Sequence, residues 1–126
     1  MRINRLDHLV LTVADIDSSV GFYTQVLGMD EQVFAGGRRA LKFGRSKINL
    51  HQAGHEFEPK ALRPTPGSAD LCLIAVEPLD QVIAELAGHG VEIEQGPVER
   101  TGATGPIISV YFRDPDQNLI EVSNYR

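Results

Sequence analysis

The chain has 126 residues, a length that fits one domain with a core of its own. Its net charge is −5, and Arg38-Arg39 is its only basic cluster, which argues against sequence-independent binding of nucleic acid. No apolar run approaches the roughly 20 residues of a membrane span, and the N-terminus lacks a signal peptide's apolar segment. We therefore expect a cytoplasmic protein without nucleic-acid or membrane partners.

The first half of the chain predicts the element order β-α-β-β-β. A strand over 6–13 precedes a helix that starts near Asp15 or Asp17 and stops at Gly28, where the helical spacing of apolar residues ends. Three short strands follow, separated by glycines, over 31–34, 39–43 and 47–52. Because side chains alternate along a strand, three polar residues lie opposite the apolar faces of their strands: His8, Asn49 and His51.

The second half repeats this order after a linker over 54–67, which is too rich in proline to continue a helix or strand. A strand over 69–76 leads to a helix that Pro78 begins and that Gly88 and Gly90 end. A strand over 91–94, a flexible loop over 102–106 and a hairpin over 107–124 complete the unit. We interpret the repetition as a duplication of modules 4–53 and 68–125 within one domain, 1–126. The predicted class is α+β, with two βαβββ modules forming paired curved mixed sheets around a cleft.

The final hairpin carries a carboxylate among other polar groups. Its turn, 114–118, contains proline, aspartate and asparagine, which favour chain reversal. Alternation places Val110 and Phe112 in the core, and the opposite face carries Ser109, Tyr111, Arg113 and Glu121. Cys72, the only cysteine, lies in an apolar strand and is expected to be a small core residue.

Three residues with metal-binding side chains lie on the non-core faces of three strands: His8, His51 and Glu121. Imidazole and carboxylate suit a divalent ion such as Mn, Fe, Co, Ni or Zn. If the two sheets pair as predicted, the three side chains converge in the shared cleft. The sequence therefore predicts a divalent metal site.

Three motifs carry a family resemblance: His8 in the first strand, the helix FYTQVLG, and the ending D-P-D-x-N-x-x-E. They lie within the patterns LDHLVLTVADIDSSVGFYTQVLGM and SVYFRDPDQNLIEV. Essentially the whole chain resembles the vicinal oxygen chelate superfamily, which includes glyoxalase I, bleomycin-resistance proteins, extradiol dioxygenases and fosfomycin-modifying enzymes. The stretches KINLHQAGHEFEPKA and GPVERTGATGPIISVYF further resemble the glyoxalase domain-containing protein 5 type.

The resemblance implies a metal held by a histidine of the first strand and a glutamate of the last, positions that His8 and Glu121 match. The family's fourth-strand ligand position falls on Asn49, with His51 two residues later. Where the second module often has a histidine, this chain offers Asp70 or, with another gap, Leu71. The implied ligand set is His8, His51 and Glu121, with Asp70 as a candidate fourth ligand.

The resemblance implies an enzyme in which the metal acts as a Lewis acid on a small oxygen-rich substrate. Tyr111 and Ser109 are the candidate catalytic residues, and the candidate substrate-binding residues are Asn49, Arg113 and Arg38. Isomerase, lyase, epoxide-opening and dioxygenase reactions are all open. The alternative is a non-catalytic small-molecule-binding protein of the bleomycin-resistance type. In either case the two short modules favour a homodimer.

Overall fold

The computed structural model describes all residues from Met1 to Arg126, which divide into two compact units, Met1–Pro66 and Gly67–Arg126. The first unit contains the elements β1 (His8–Val13), α1 (Ile16–Gln25), β2 (Asp30–Phe34), a 3₁₀ turn (Ala35–Gly37), β3 (Arg38–Phe43) and β4 (Ser46–Gln52). The second contains β5 (Asp70–Ile74), α2 (Leu79–Gly88), β6 (Gln95–Gly102), β7 (Gly105–Arg113) and β8 (Leu119–Tyr125).

Each unit has one four-stranded mixed sheet, and the strand orders β1-β4-β3-β2 and β5-β8-β7-β6 are equivalent. In both sheets the first strand pairs in parallel with the last, and the other pairs are antiparallel. The predicted fold class, a tandem βαβββ arrangement, is confirmed. The pairing of the two sheets around a cleft stays a prediction.

In each sheet one face carries the apolar core residues, and we call the other face the polar face. The core of the first unit includes buried residues of β1, β3, β4 and α1, among them Val13, Leu41, Ile48, Leu50 and Tyr23. The core of the second includes Val110, Phe112, Ile120, Val122 and Leu86. The alternation predicted for the final hairpin is confirmed by Val110 and Phe112, which have no exposed surface.

The turn of the final hairpin, Asp114–Asn118, is tied to β5 by buried side chains. Asp114 Oδ1 accepts hydrogen bonds from the backbone N–H groups of Asp116 and Asn118, both at 2.9 Å. Asn118 Nδ2 donates to Asp114 Oδ2 at 2.8 Å, and Asn118 Oδ1 accepts from Ala69 N at 2.8 Å. The turn therefore fixes the start of β5 beside β8.

Several local predictions were wrong. Residues 91–94 are not a strand, because Val91 N bonds to Leu86 O and so closes α2. The sixth strand is instead Gln95–Gly102, and the predicted loop over 102–106 is the tight end of a hairpin in which Gly102 pairs with Gly105. Helix α1 ends at Gln25 and not at Gly28. Neither helix is long and apolar enough to span a membrane.

Candidate functional site

Several ionisable and hydroxyl-bearing side chains of the second unit lie together on the polar face of its sheet. Glu121 of β8 lies between Cys72 of β5 and Tyr111 of β7, which are its Cα partners in the two neighbouring strands. One step along, Ser123 lies between Ile74 and Ser109. The predicted catalytic residues Tyr111 and Ser109 are thus next to Glu121, as alternation along the hairpin requires.

The carboxylate of Glu121 is held by hydroxyl groups. Ser109, which is fully buried, donates from Oγ to Glu121 Oε2 at 2.6 Å. Ser109 Oγ is also 2.6 Å from Ser123 Oγ, and Ser123 Oγ lies 3.4 Å from the same carboxylate oxygen. The buried serine hydroxyls therefore hold one carboxylate oxygen of Glu121, Oε2, in place.

Cys72 was predicted to be a core residue, and this was wrong. Its side chain is exposed on the polar face beside Glu121, because the strand alternation places it with Asp70 and not with the leucines on either side. Its Sγ lies 3.4 Å from Ser123 Oγ. Partial burial of the sulfur raises the pKa of the Cys72 thiol, and the charge of Glu121 raises it further. The thiol is therefore poorly suited to act as a nucleophile.

A cavity of about 390 Å³ opens on this face, with Glu121, Tyr111 and Arg100 in its lining. Arg100 Nε donates to Tyr111 Oη at 3.0 Å, and the guanidinium carbon lies 5.5 Å from the centroid of the Tyr111 ring. The apolar part of the wall comes from Ile74, Ala103, Ile107 and the ring of Tyr125. The cavity combines a carboxylate, a guanidinium and an apolar wall.

Arg100 was not among the predicted site residues. Its position on β6 opposite Ile107 places it on the polar face, since Ile107 and Tyr111 share that face of β7. The sequence analysis missed it because the strand was predicted over 91–94, and the pattern QGPVERTG resembles a loop more than a strand. A correct strand boundary would have placed Arg100 beside Tyr111.

On the polar face of the first sheet, His8 begins β1. Its Nδ1 donates to Asp7 Oδ2 at 2.8 Å, and this hydrogen bond lowers the pKa of the Asp7 carboxyl. The other ring nitrogen, Nε2, is not used in this contact. Metal-binding histidines are commonly oriented by such a carboxylate.

Asn49 and His51 lie on the same polar face, paired with Val10 and Thr12 of β1. Asn49 Oδ1 is buried and has no hydrogen-bond partner. His51 is 7% exposed, and its ring meets the edge of Phe57 at a centroid distance of 5.6 Å. Burial, and then the charge of Arg38, lower the pKa of His51, so the ring is neutral and able to accept a bond.

Two other predicted residues, both arginines, have side-chain contacts within the protein. Arg113 donates from Nε and Nη2 to the carboxylate of Glu94 at 2.9 and 3.0 Å, and from Nη1 to Gln117 O at 3.1 Å. Arg38 stacks over Phe57, with its guanidinium carbon 4.2 Å from the ring centroid. Arg113 is thus engaged in a structural ion pair, whereas Arg38 lies beside His51.

The predicted metal ligands have suitable donor atoms and belong to both units, His8 and His51 to the first and Asp70 and Glu121 to the second. No three or more His, Cys, Asp or Glu side chains of the chain form a group that could hold a metal ion. Asp70, the candidate fourth ligand, is exposed at the start of β5. The set His8, His51, Glu121 and Asp70 therefore stays a prediction.

Comparison with known proteins agrees with this fold. A family model described as the Glyoxalase/Bleomycin resistance protein/Dioxygenase superfamily matches residues 5–122. The chain is 59% identical over 125 residues to virulence protein STM3117 of Salmonella typhimurium, a match that covers 99% of this chain and 87% of that protein. The crystal structure of that protein superimposes with a TM-score of 0.99, covering 100% of both chains.

Two further proteins are similar to this chain, one in sequence and one only in fold. The glyoxalase domain-containing protein RDO1 of Mycosarcoma maydis is 53% identical over 126 residues, which cover 100% of this chain and 71% of that protein. TnmS3, an antibiotic binding protein from Streptomyces sp. CB03234, is 22% identical, with a TM-score of 0.77 and coverage of 100% of this chain and 99% of that one. The second similarity is one of fold alone.

Proposed function

The chain belongs to the glyoxalase/bleomycin resistance protein/dioxygenase superfamily, and from this premise we propose that it is a divalent-metal-dependent enzyme acting on a small oxygen-rich substrate. The observation that carries the proposal is the Glu121 carboxylate, which lines a cavity of about 390 Å³ and is held by Ser109. We include in the proposal the finer assignment to the glyoxalase domain-containing protein 5 type.

The proposed ligands are His8, His51 and Glu121, with Asp70 as the candidate fourth. When bound, the ion supplies Lewis acidity to substrate oxygens, which serves isomerase, lyase, epoxide-opening or dioxygenase chemistry. The neutral ring of His51 and the Asp7-oriented ring of His8 support their inclusion.

The side chains around Glu121 have separate proposed roles. Ser109 keeps one carboxylate oxygen of Glu121 in place, so that the other stays available. Tyr111, one strand away, lines the cavity, and its proposed role is to orient a bound oxygen. The apolar wall, which includes Ile74 and Ile107, excludes water from the carbon skeleton of the substrate.

The test is the metal content of Glu121→Gln, measured on protein purified without chelator. Glutamine keeps the shape of the side chain but removes the charge that neutralises a divalent ion, so we expect loss of the bound metal. Glu85→Gln on α2 is the matched control, since it makes the same chemical change away from the cavity. The wild type should gain thermal stability on metal addition, and Glu121→Gln should lose that gain.

The same assay examines the other ligands. His8→Ala and His51→Ala should also lose the metal-dependent gain, and Asp70→Asn separates a fourth ligand, with a large loss, from a carboxylate that faces the substrate. Full metal content and full stabilisation in Glu121→Gln would show that the proposed site is wrong.

The alternative is a protein that binds a small molecule without chemistry. It is supported by the cavity of about 390 Å³ and its apolar wall, which suit a bound small molecule. TnmS3, which shares the fold, is by its name an antibiotic binding protein. Wild-type protein that takes up no divalent ion under any loading condition would move this alternative ahead.

We also propose that the protein is a homodimer. The support is the short two-module chain, with exposed apolar side chains on both polar faces, such as Val10 at 46% and Ile74 at 53% exposure. In a dimer, these exposed apolar side chains would be covered by the partner subunit. Sedimentation should give the mass of a dimer at micromolar concentration, and a monomer that still binds metal would contradict the proposal.

A further inference from the structure

Arg100 is a charged side chain in the cavity with no ion-pair partner. The other charged residue in the cavity lining is Glu121, and Arg100 forms no salt bridge with it. Other arginines of the second unit are paired: Arg113 with Glu94 and Arg126 with Glu99. Arg100 therefore stands apart from the structural arginines of its own unit.

The guanidinium of Arg100 is nevertheless held in place. Its Nε donates to Tyr111 Oη at 3.0 Å, and its Nη1 donates to the backbone oxygen of Glu99 at 2.9 Å. The Tyr111 ring lies beneath it, with 5.5 Å between guanidinium carbon and ring centroid. These contacts engage Nε and Nη1 and leave Nη2 without a partner. A fork fixed in this way is suited to a carboxylate, which arginine recognises through directed hydrogen bonds.

We propose that Arg100 is a specificity residue that selects substrates bearing a carboxylate. This inference rests on the proposed function, because it assigns the substrate class of the same cavity. The substrate class is a small carboxylic acid with at least one further oxygen, its acid group on Arg100 and its oxygen towards Glu121. A carboxylate matches the single charge of Arg100, whereas a phosphate dianion would bring a second negative charge near Glu121.

The experiment compares matched acids and amides. Lactate is paired with lactamide, and 3,4-dihydroxybenzoate with 3,4-dihydroxybenzamide, so that each pair differs in the charge of one group. Dissociation constants are measured by NMR titration of the metal-free protein, with inorganic phosphate as a further probe. We expect the wild type to bind at least one acid about tenfold or more tightly than its amide.

Two variants show whether Arg100 is responsible. Arg100→Gln should abolish the preference for the acid, and Arg100→Lys should keep part of it, because lysine retains the charge without the fork. Arg126→Gln is the control, since it removes the same charge from an exposed arginine of the same unit. A preference that is the same in Arg100→Gln and the wild type would overturn the inference. Absence of acid binding at millimolar concentration, or phosphate binding as tightly as the acids, would also overturn it.

The two proposals fail in different ways. If the wild type takes up no metal but keeps an Arg100-dependent preference for acids, the metal-dependent enzyme is excluded and the carboxylate specificity stands. If Glu121→Gln loses its metal while Arg100→Gln has the wild-type preference, the specificity is wrong and the metal site stands. Metal content of Arg100→Gln should equal that of the wild type in both cases.

Discussion

The two sheets of this protein have the same strand order, and their first and last strands pair in equivalent registers, but their polar faces carry different side chains. His8 pairs with Lys47 as Asp70 pairs with Leu119, so that each position in one unit has a counterpart in the other. By this register His8 corresponds to Asp70, Val10 to Cys72, Asn49 to Glu121, His51 to Ser123 and Ala40 to Tyr111.

The difference lies in how the central polar residue is satisfied. Glu121 accepts a hydrogen bond from Ser109 and faces a cavity, whereas Asn49 has a buried Oδ1 without a partner. Tyr111 stands beside Glu121, but the corresponding Ala40 beside Asn49 offers no polar group. The two units therefore have equivalent backbone positions, but only the second has a carboxylate at this position that is held by a hydrogen bond.

The largest expected difference between the units concerns their hairpin turns. Asn118→Ala removes the buried hydrogen bonds to Asp114 and Ala69, so we expect a loss of about 3 kcal/mol in the free energy of unfolding. Arg45→Ala, in the turn of the first unit, should change it by less than about 0.5 kcal/mol because that side chain lies at the surface. Urea unfolding measures both, and equal losses would refute the contrast.

A smaller loss is expected from the hydroxyl that holds the carboxylate. Ser109→Ala should lower the free energy of unfolding by about 1.5 kcal/mol, because Ser109 is fully buried and bonds to both Glu121 and Ser123. Ser46→Ala, which removes a 3.4 Å contact to Leu6 O in the first unit, is the control and should be nearly neutral. Thermal unfolding that fails to separate the two variants would contradict this account of the network.

The unpartnered amide of the first unit gives an effect of opposite sign. Asn49→Leu should leave stability unchanged or raise it by up to about 1 kcal/mol, because it removes a buried oxygen that has no hydrogen-bond partner. Its metal content also distinguishes the two candidates on β4. Loss of metal would assign the ligand to Asn49, and retention would leave it with His51. A clear loss of stability would mean that the amide has a partner in the folded protein.

The smallest effect is on pH dependence. Burial and Arg38 lower the pKa of His51 below its ordinary value of 6.5. Near that pH the unfolded ring therefore binds a proton while the folded ring is still neutral. The contribution of His51 to the free energy of unfolding is complete above pH 6.5 and decreases as the pH drops towards the folded pKa. His51→Leu should remove this part of the pH dependence, and Arg38→Gln should weaken it. Identical urea midpoints against pH for wild type and His51→Leu would disprove it.

The sequence allowed most of the fold to be predicted, because alternation and glycine stops are local signals. It failed at 91–94, where VEIE alternates like a strand although Val91 closes a helix. It failed again at β6, where Gly96 and Pro97 resemble a turn. Gly96 has a φ of 111°, and a Cβ there would lie 2.4 Å from Ser109 O, so a glycine is required inside the strand at its bulge.

For the site, the alternation of side chains along the hairpin correctly placed Ser109 and Tyr111 beside Glu121. The sequence could not show that Arg113 is paired with Glu94, because that contact joins a residue of β7 to one 19 positions earlier, in the segment that precedes β6. It also missed Arg100, whose strand was misplaced. Parity along a strand is predictable, whereas the partner of a long side chain depends on tertiary packing.

The parallel pairing of the first and last strands in each unit has a consequence for folding kinetics. Ala69 N and Asn118 Oδ1, which anchor β5 beside β8, are 49 residues apart, whereas β7 and β8 are joined by the short turn 114–118. Closing the longer loop loses more chain entropy, so the hairpins should form first and β5 should dock late. During synthesis β1 likewise leaves the ribosome well before its partner β4, and His8 reaches its final position only when that later strand has emerged.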